Sequence, residues 1–120
     1  MTGRVRAIRG ATTVDEDTPE QVVERTVVLL REIIDRNGLA EDDLVSLLFT
    51  ATDDIRSEFP AAAARKLGLG AVPRMCAREL DVAGAAPRCI RVMVHCYSDR
   101  ERLRHVYLEG AEHLRHDLPG

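Results

Sequence analysis

The sequence predicts an α+β (mixed α/β) fold in which a five-stranded mixed sheet has helices on one face. Three observations support this prediction. The chain has 120 residues, 45% of them hydrophobic, which is enough for a single domain with one core, residues 1–120. One segment has the apolar periodicity of a helix, whereas several others alternate like strands. Their order along the chain, β-α-β-α-β-β-β, is typical of a sheet packed against helices.

The first two elements are the best defined. A strand is predicted over Arg4–Val14, with Arg9 on the same face as Val5, Ala7 and Ala11. A helix then begins at Thr18, an N-cap residue followed by proline, and Gln21 is placed to close a capping box. Apolar residues recur every three or four positions until Asn37-Gly38, a pair that commonly ends helices.

The later elements are shorter and are set by apolar runs between turn residues. Residues 44–50 are nearly all apolar, which indicates a strand buried on both faces. The strand over residues 88–97 alternates, with Ile90, Val92, Val94 and Cys96 facing away from Arg91. The remaining predictions are a helical turn at 40–43, a short helix at 60–67, an extended segment at 69–76, a last strand at 105–108, and a polar tail at 109–120 that we expect to be mobile.

Composition excludes several classes of function. The net charge of −3 and the 3% aromatic content argue against binding to nucleic acid. The longest stretch without charge, Leu44–Thr52, is far shorter than the ~20 residues that cross a bilayer. Cys76, Cys89 and Cys96 are odd in number and lack zinc-ligand spacing, so we expect free thiols, no metal and a cytoplasmic location.

Two arginines stand where a structural protein would not normally place them. Arg9 and Arg91 each lie within a predicted strand, and a guanidinium on a partly buried face needs an acid or an anion beside it. One interpretation is that each pairs with a protein acid such as Asp81 or Glu79, or that the face is exposed. The other is that they converge on a small anionic ligand. Spacing alone leaves both interpretations open.

The segments around these arginines together resemble the monofunctional, trimeric AroH-class chorismate mutases. The resemblance covers nearly the whole chain, in the family's order and spacing. The segments that match are Arg9-Gly10-Ala11-Thr12-Thr13, Phe49 to Asp54 leading to Phe59-Pro60-Ala61, Val72-Pro73 with Cys76 and Glu79, Cys89-Ile90-Arg91-Val92, and Arg104-His105-Val106-Tyr107-Leu108.

The resemblance implies the isomerisation of chorismate to prephenate without cofactor or metal, in a homotrimer whose subunits form a pseudo-α/β barrel with active sites between neighbours. It implies catalytic roles for Arg91, at the breaking ether bond, and for Glu79. It also implies substrate contacts for a further group of residues: Arg9, Phe59, Arg65, Met75, Cys76, Tyr107 and Arg115.

The chain departs from the family pattern in places. Ala61–Ala64 stand where a lysine is frequent, and Arg74 and Met75 replace smaller residues, so we expect altered substrate affinity. Three alternatives stay open at this stage: a related trimer that binds small acids as a regulator, an enamine/imine deaminase of the RidA-like type with the same architecture, and a structural interaction protein.

Overall fold

The computed structural model describes residues 3–115, without the side chain of Arg115. The predicted mixed sheet of five strands with helices is confirmed. Its elements are β1 (Arg4–Thr13), α1 (Pro19–Asn37), a 3-10 turn (Glu41–Asp43), β2 (Leu44–Ala51), α2 (Ala62–Lys66), β3 (Arg74–Arg78), β4 (Cys89–Ser98), β5 (Val106–Tyr107) and a C-terminal 3-10 helix (Glu109–Arg115).

Strand β4 is the centre of the sheet, whose order is β3-β2-β4-β1-β5. It runs antiparallel to both β1 and β2, and the edge strands β3 and β5 run parallel to their neighbours β2 and β1. Residues 91 and 93 of β4 therefore have neighbours on both sides, which fixes their side chains firmly relative to β1 and β2.

Helix α1 covers one face of the sheet and starts with half of the predicted capping box. The Thr18 hydroxyl accepts the N–H of Gln21 at 3.2 Å, and Gly38 ends the helix at φ 62°. The reciprocal bond is absent because the N–H of Thr18 already donates to the carbonyl of Glu16. The Gln21 side chain instead accepts the N–H groups of Asp15 and Glu16, so it fixes the turn before the helix.

Close packing of α1 on β1 requires a glycine next to Arg9. A Cβ atom at Gly10 would lie 2.7 Å from Cδ1 of Ile33 and 3.2 Å from Cδ1 of Leu29. The core between helix and sheet also buries Ile8, Phe49 and the alternate residues of β4. The faces predicted for β4 are confirmed.

Two expectations about the faces of the sheet need correction. Strand β2 is not buried on both sides: Leu47 and Phe49 lie in the core, but Leu48 is 39% exposed, because α1 and α2 cover only one face. Nor do all helical segments lie on that face. The C-terminal 3-10 helix, which gives part of the predicted tail an ordered conformation, packs through Ala111 on Ala11 and Cys89 of the opposite face.

We call the face opposite α1 the open face. No helix within residues 3–115 combines the length and apolar character needed to cross a membrane.

Candidate active site

Strand register assembles two rows of side chains across the open face. Arg91 of β4 is opposite Thr50 on one side and Ala11 on the other, and Ala11 is in turn opposite Tyr107. The next row contains Met75, Leu48, Met93 and Arg9. Since side chains two residues apart on a strand share a face, Arg9 and Arg91 point from neighbouring strands to the same side of the sheet.

A cavity of about 230 Å³ lies over these rows. Its polar lining consists of Arg9, Arg91, Thr50 and Tyr107, and its apolar lining includes Leu48 and Met93. Two guanidinium groups and two hydroxyls on one small cavity favour an anionic ligand with more than one oxygen acceptor.

Glu79 approaches the cavity from the end of β3. Its backbone N–H donates to the carbonyl of Ala51, which extends the β2–β3 pairing and directs its carboxylate towards Arg91. Glu79 Oε2 lies 3.3 Å from Arg91 Nε and also accepts a hydrogen bond from the Thr50 hydroxyl. Glu79, one of the two acids that the structural interpretation offered as partners for the arginines, therefore does lie beside Arg91.

That contact does not satisfy the Arg91 guanidinium. Arg91 Nε is buried, yet its N–H forms no hydrogen bond with the described residues because the angle to Glu79 is poor. A guanidinium has five N–H donors, and Glu79, beside Nε, is the one carboxylate within residues 3–115 at ion-pair distance from Arg91. Arg91 can therefore bind a second anion while it remains beside Glu79.

Arg9 is exposed, and no carboxylate of the described residues lies within ion-pair distance of it. Its backbone N–H donates to Nδ1 of His105 at 2.9 Å, which ties β1 to the residue that precedes β5 and Tyr107. Burial, together with the charge of Arg9, lowers the pKa of His105. Sequence reasoning gave His105 no role of its own; it was placed only as the first residue of the predicted strand 105–108.

Protonation of His105 should cost stability, because the proton would occupy Nδ1, the atom that accepts from Arg9. Since the folded-state pKa lies below the ordinary 6.5, the unfolded chain binds this proton more tightly. The stabilising contribution is thus complete above pH 6.5 and declines as the pH falls through 6.5 towards the folded-state value.

We expect His105→Asn, which offers an oxygen acceptor but does not titrate, to flatten the decline in unfolding free energy between pH 7.5 and 5. Urea denaturation at several pH values measures this, with the exposed His113→Asn as the matched control. Removal of the acceptor in His105→Ala should cost about 0.5–1.5 kcal/mol at pH 7.5. An equally steep decline in His105→Asn would show that another group causes the pH dependence.

A second group of candidate residues lies at the β3 edge, away from Arg91. Phe59 is 71% exposed on the loop before α2, Arg65 is exposed on α2 itself, and Met75 is 68% exposed on the open face. Cys76 faces the other way, since it pairs with Phe49 and packs on the core. A groove of about 470 Å³ contains Phe59 and Cys76 but neither arginine of the first cavity.

The structure thus brings together Arg9, Glu79, Arg91 and Tyr107. It places Met75 beyond Leu48 at the β3 end of the second row, and Phe59, Arg65 and Cys76 elsewhere in the same chain. The side chain of Arg115 lies outside the described residues, although its backbone ends the C-terminal 3-10 helix. Among the residues that the structure describes, no three His, Cys, Asp or Glu side chains are grouped as a metal site requires.

The loop that presents Phe59 is anchored by a residue that sequence reasoning missed. The Asp17 carboxylate accepts the N–H groups of Arg56 and Ser57 at 2.9 and 3.1 Å, and the Ser57 hydroxyl at 2.6 Å. The hydrogen bond from Ser57 lowers the pKa of Asp17, with the backbone donors adding to it. The exposed position of Phe59 is therefore held by the fold rather than left to a free loop.

Comparison with known proteins gives a consistent result. The family model described as chorismate mutase type I matches residues 5–118. Two relatives named Chorismate mutase AroH, from Thermus thermophilus and Bacillus subtilis, are 47% and 45% identical over 117 residues, which cover 95% of this chain and 96% and 92% of theirs. A solved chorismate mutase from Clostridium thermocellum aligns with a TM-score of 0.87 at 47% identity, over 89% of this chain and 97% of that one.

Proposed function

Because the chain belongs to the chorismate mutase type I family, we propose how its residues divide the work of that reaction. The chain is a chorismate mutase, an isomerase of aromatic amino acid biosynthesis that rearranges chorismate to prephenate. In this intramolecular Claisen rearrangement an ether C–O bond breaks and a C–C bond forms within one molecule. The membership decides against the deaminase and the structural interaction protein that the sequence left open.

Arg91 is the proposed catalytic cation. Cleavage of the C–O bond ahead of C–C formation leaves negative charge on the ether oxygen and positive charge on the ring. A fixed guanidinium at that oxygen stabilises the transition state more than the ground state, which is the condition for catalysis. The observation that supports this role is that Arg91 lines the cavity and that Glu79, at Nε, is the one carboxylate of the described residues at ion-pair distance from it.

Glu79 is the proposed second catalytic group. Its carboxylate lies 3.3 Å from Arg91 Nε, where its negative charge would stabilise the positive charge that develops on the ring and would accept a hydrogen bond from the ring hydroxyl. Opposite charges that the fold places beforehand beside the reacting atoms need no reorganisation during the reaction.

Arg9 and Tyr107 are the proposed carboxylate-binding groups. Both line the cavity with Arg91, from β1 and β5, and together they supply a cation and a hydroxyl donor to one substrate carboxylate. Binding both ends of the substrate holds its side chain folded over the ring in near-attack geometry. No proton transfer, cofactor or metal is needed in this scheme.

Phe59 and Arg65 are proposed to come from a neighbouring subunit of a homotrimer. Cys76 and the backbone around Met75 are proposed to hold the ring-hydroxyl side of the substrate with Glu79. Phe59, Arg65, Met75 and Cys76 all lie near the β3 edge, outside the cavity that contains Arg91. The exposed Phe59 and Met75 are apolar, which favours an interface over solvent. In this arrangement, the β3 edge of one subunit closes the open face of the next, and Arg115 helps to close the cleft from the C-terminal tail.

The cytoplasm is the proposed location. All three cysteines lie within the described residues, and none is in a disulfide, which is consistent with a reducing compartment.

The proposal is tested by turnover and assembly together. We expect purified protein to consume chorismate at an undiminished rate with EDTA present, and to sediment at three times 13.3 kDa. A rate that falls to background with EDTA would contradict the metal-free scheme. A stable monomer with full activity would contradict the shared cleft, because Phe59 and Arg65 could not then reach the cavity.

A further inference from the structure

Thr50 is a cavity residue to which neither the sequence nor the family assignment gave a role. It lies on β2 between the two charged groups of the site, directly opposite Arg91 on β4 and opposite Ala77 on β3. Glu79 follows Ala77 by two residues on the same side, so Thr50 and Glu79 are diagonal neighbours across the β2–β3 pair. The Thr50 hydroxyl is therefore the polar group of β2 that lies between Glu79, at the end of β3, and Arg91 on β4.

The hydroxyl donates its hydrogen bond to Glu79 Oε2, the same oxygen that lies 3.3 Å from Arg91 Nε. This leaves Oε1 of Glu79 without a hydrogen-bond donor among the described residues. The poor angle between Arg91 Nε and Oε2 means that Arg91 alone does not hold the carboxylate in place. The orientation of the free oxygen thus depends on Thr50.

From this geometry we infer that Thr50 is a positioning residue, whose hydroxyl fixes the Glu79 carboxylate so that its free oxygen faces the substrate ring while Arg91 keeps its terminal N–H groups for the ether oxygen. The inference rests on the roles proposed above for Glu79 and Arg91. Without the hydroxyl, Glu79 would rotate towards Arg91 and form a better ion pair with it. The charges of Glu79 and Arg91 would then neutralise each other and would stabilise the transition state less.

The test is Thr50→Val, which keeps the β-branched shape and removes the donor. We expect kcat to fall by about ten- to a hundredfold, the effect of losing a hydrogen bond to a charged group, with KM changed by less than about threefold. Thr50→Ser keeps the donor and should restore kcat to within about threefold of wild type.

Two further variants separate positioning from a structural effect. If Thr50 acts through Glu79, then Thr50→Val in a Glu79→Gln background should lower kcat by less than about twofold, whereas independent effects would multiply. Thr12→Val is the matched control: the Thr12 hydroxyl is buried on the other side of the sheet without a hydrogen-bond partner among the described residues. It should leave kcat unchanged, and the urea midpoint of each variant confirms folding.

The outcomes are distinct. Wild-type kcat in a folded Thr50→Val variant would overturn the inference while leaving the roles of Arg91 and Glu79 intact. Multiplicative losses in the double variant, or no rescue by serine, would also overturn it, because the hydroxyl would then act by another route. An unimpaired Glu79→Gln variant would instead refute the proposed role of Glu79, and the inference with it.

Discussion

Replacing Arg91 by alanine should lower kcat/KM by at least about 10²–10³-fold, the loss measured when one neutral donor is removed from a comparable oxyanion site. Arg91 is charged and its guanidinium can donate several hydrogen bonds, so its removal should cost at least as much. The loss should appear in kcat as well as in KM, because the interaction with the ether oxygen strengthens only as the C–O bond breaks. Loss of chorismate absorbance measures both constants.

Arg91→Lys should retain little of the activity, although the charge remains. An ammonium is a compact point charge and cannot place donors towards Glu79 and towards a ligand in one plane, as a guanidinium does. If charge alone were sufficient, this variant would approach the wild-type rate, and the proposed geometry would be wrong.

Arg31→Ala is the matched control for the change in net charge, since Arg31 is exposed on α1 outside the cavity. We expect it to leave kcat/KM unchanged. Removal of Arg91 also leaves Glu79, whose side chain is 22% exposed, without its cation. Urea denaturation of Arg91→Ala is therefore needed, and a folded but inactive variant is the result that supports catalysis by Arg91.

The chemistry of the first cavity was predictable because it depends on local alternation. The pattern of β4 placed Arg91 on the face of the strand that points away from the core residues Val92 and Val94, and the structure confirms this arrangement. The same reasoning applied to β1 put Arg9 on a face with Val5 and Ala7, which is the open face. Period-two patterns survive in the fold because side chains alternate strictly along a strand.

The features that sequence patterns missed depend on contacts between distant segments. The bond from Arg9 to His105 and that from Thr50 to Glu79 join residues 96 and 29 positions apart, and no local pattern encodes them. Strand β2 was predicted to be buried because its residues are apolar, yet composition cannot show which face a helix leaves uncovered. The individual roles of the site residues came from the family resemblance rather than from spacing.

If the cleft is shared between neighbours, mixing the subunits of Arg91→Ala and Arg65→Ala should restore activity. Each variant alone is expected to be inactive. Arg91→Ala removes the cation from the first cavity, and Arg65→Ala removes an exposed arginine of α2 that is proposed to reach the next subunit. In a mixed trimer, an Arg65→Ala subunit supplies Arg91 and an Arg91→Ala subunit supplies Arg65. Random assembly of equal amounts should give about a quarter of wild-type activity, because one of four neighbour pairings combines both intact residues.

The matched control mixes Arg91→Ala with Arg9→Ala. Both residues line the same cavity of one chain, so no pairing of these subunits produces an intact site and activity should stay low. Refolding from urea with two affinity tags verifies that mixed trimers form in both experiments.

The two mixtures together separate the shared cleft from its alternatives. Recovery only with Arg65→Ala requires that the arginine of α2 and the cavity arginine act from different chains, as their separation in one chain suggests. Recovery in neither mixture would place Arg65 and Arg91 in the same subunit's site, which would then need the α2 region to close over its own sheet. Recovery in both would mean that Arg9 also acts across the interface, contrary to its position beside Arg91 on the open face.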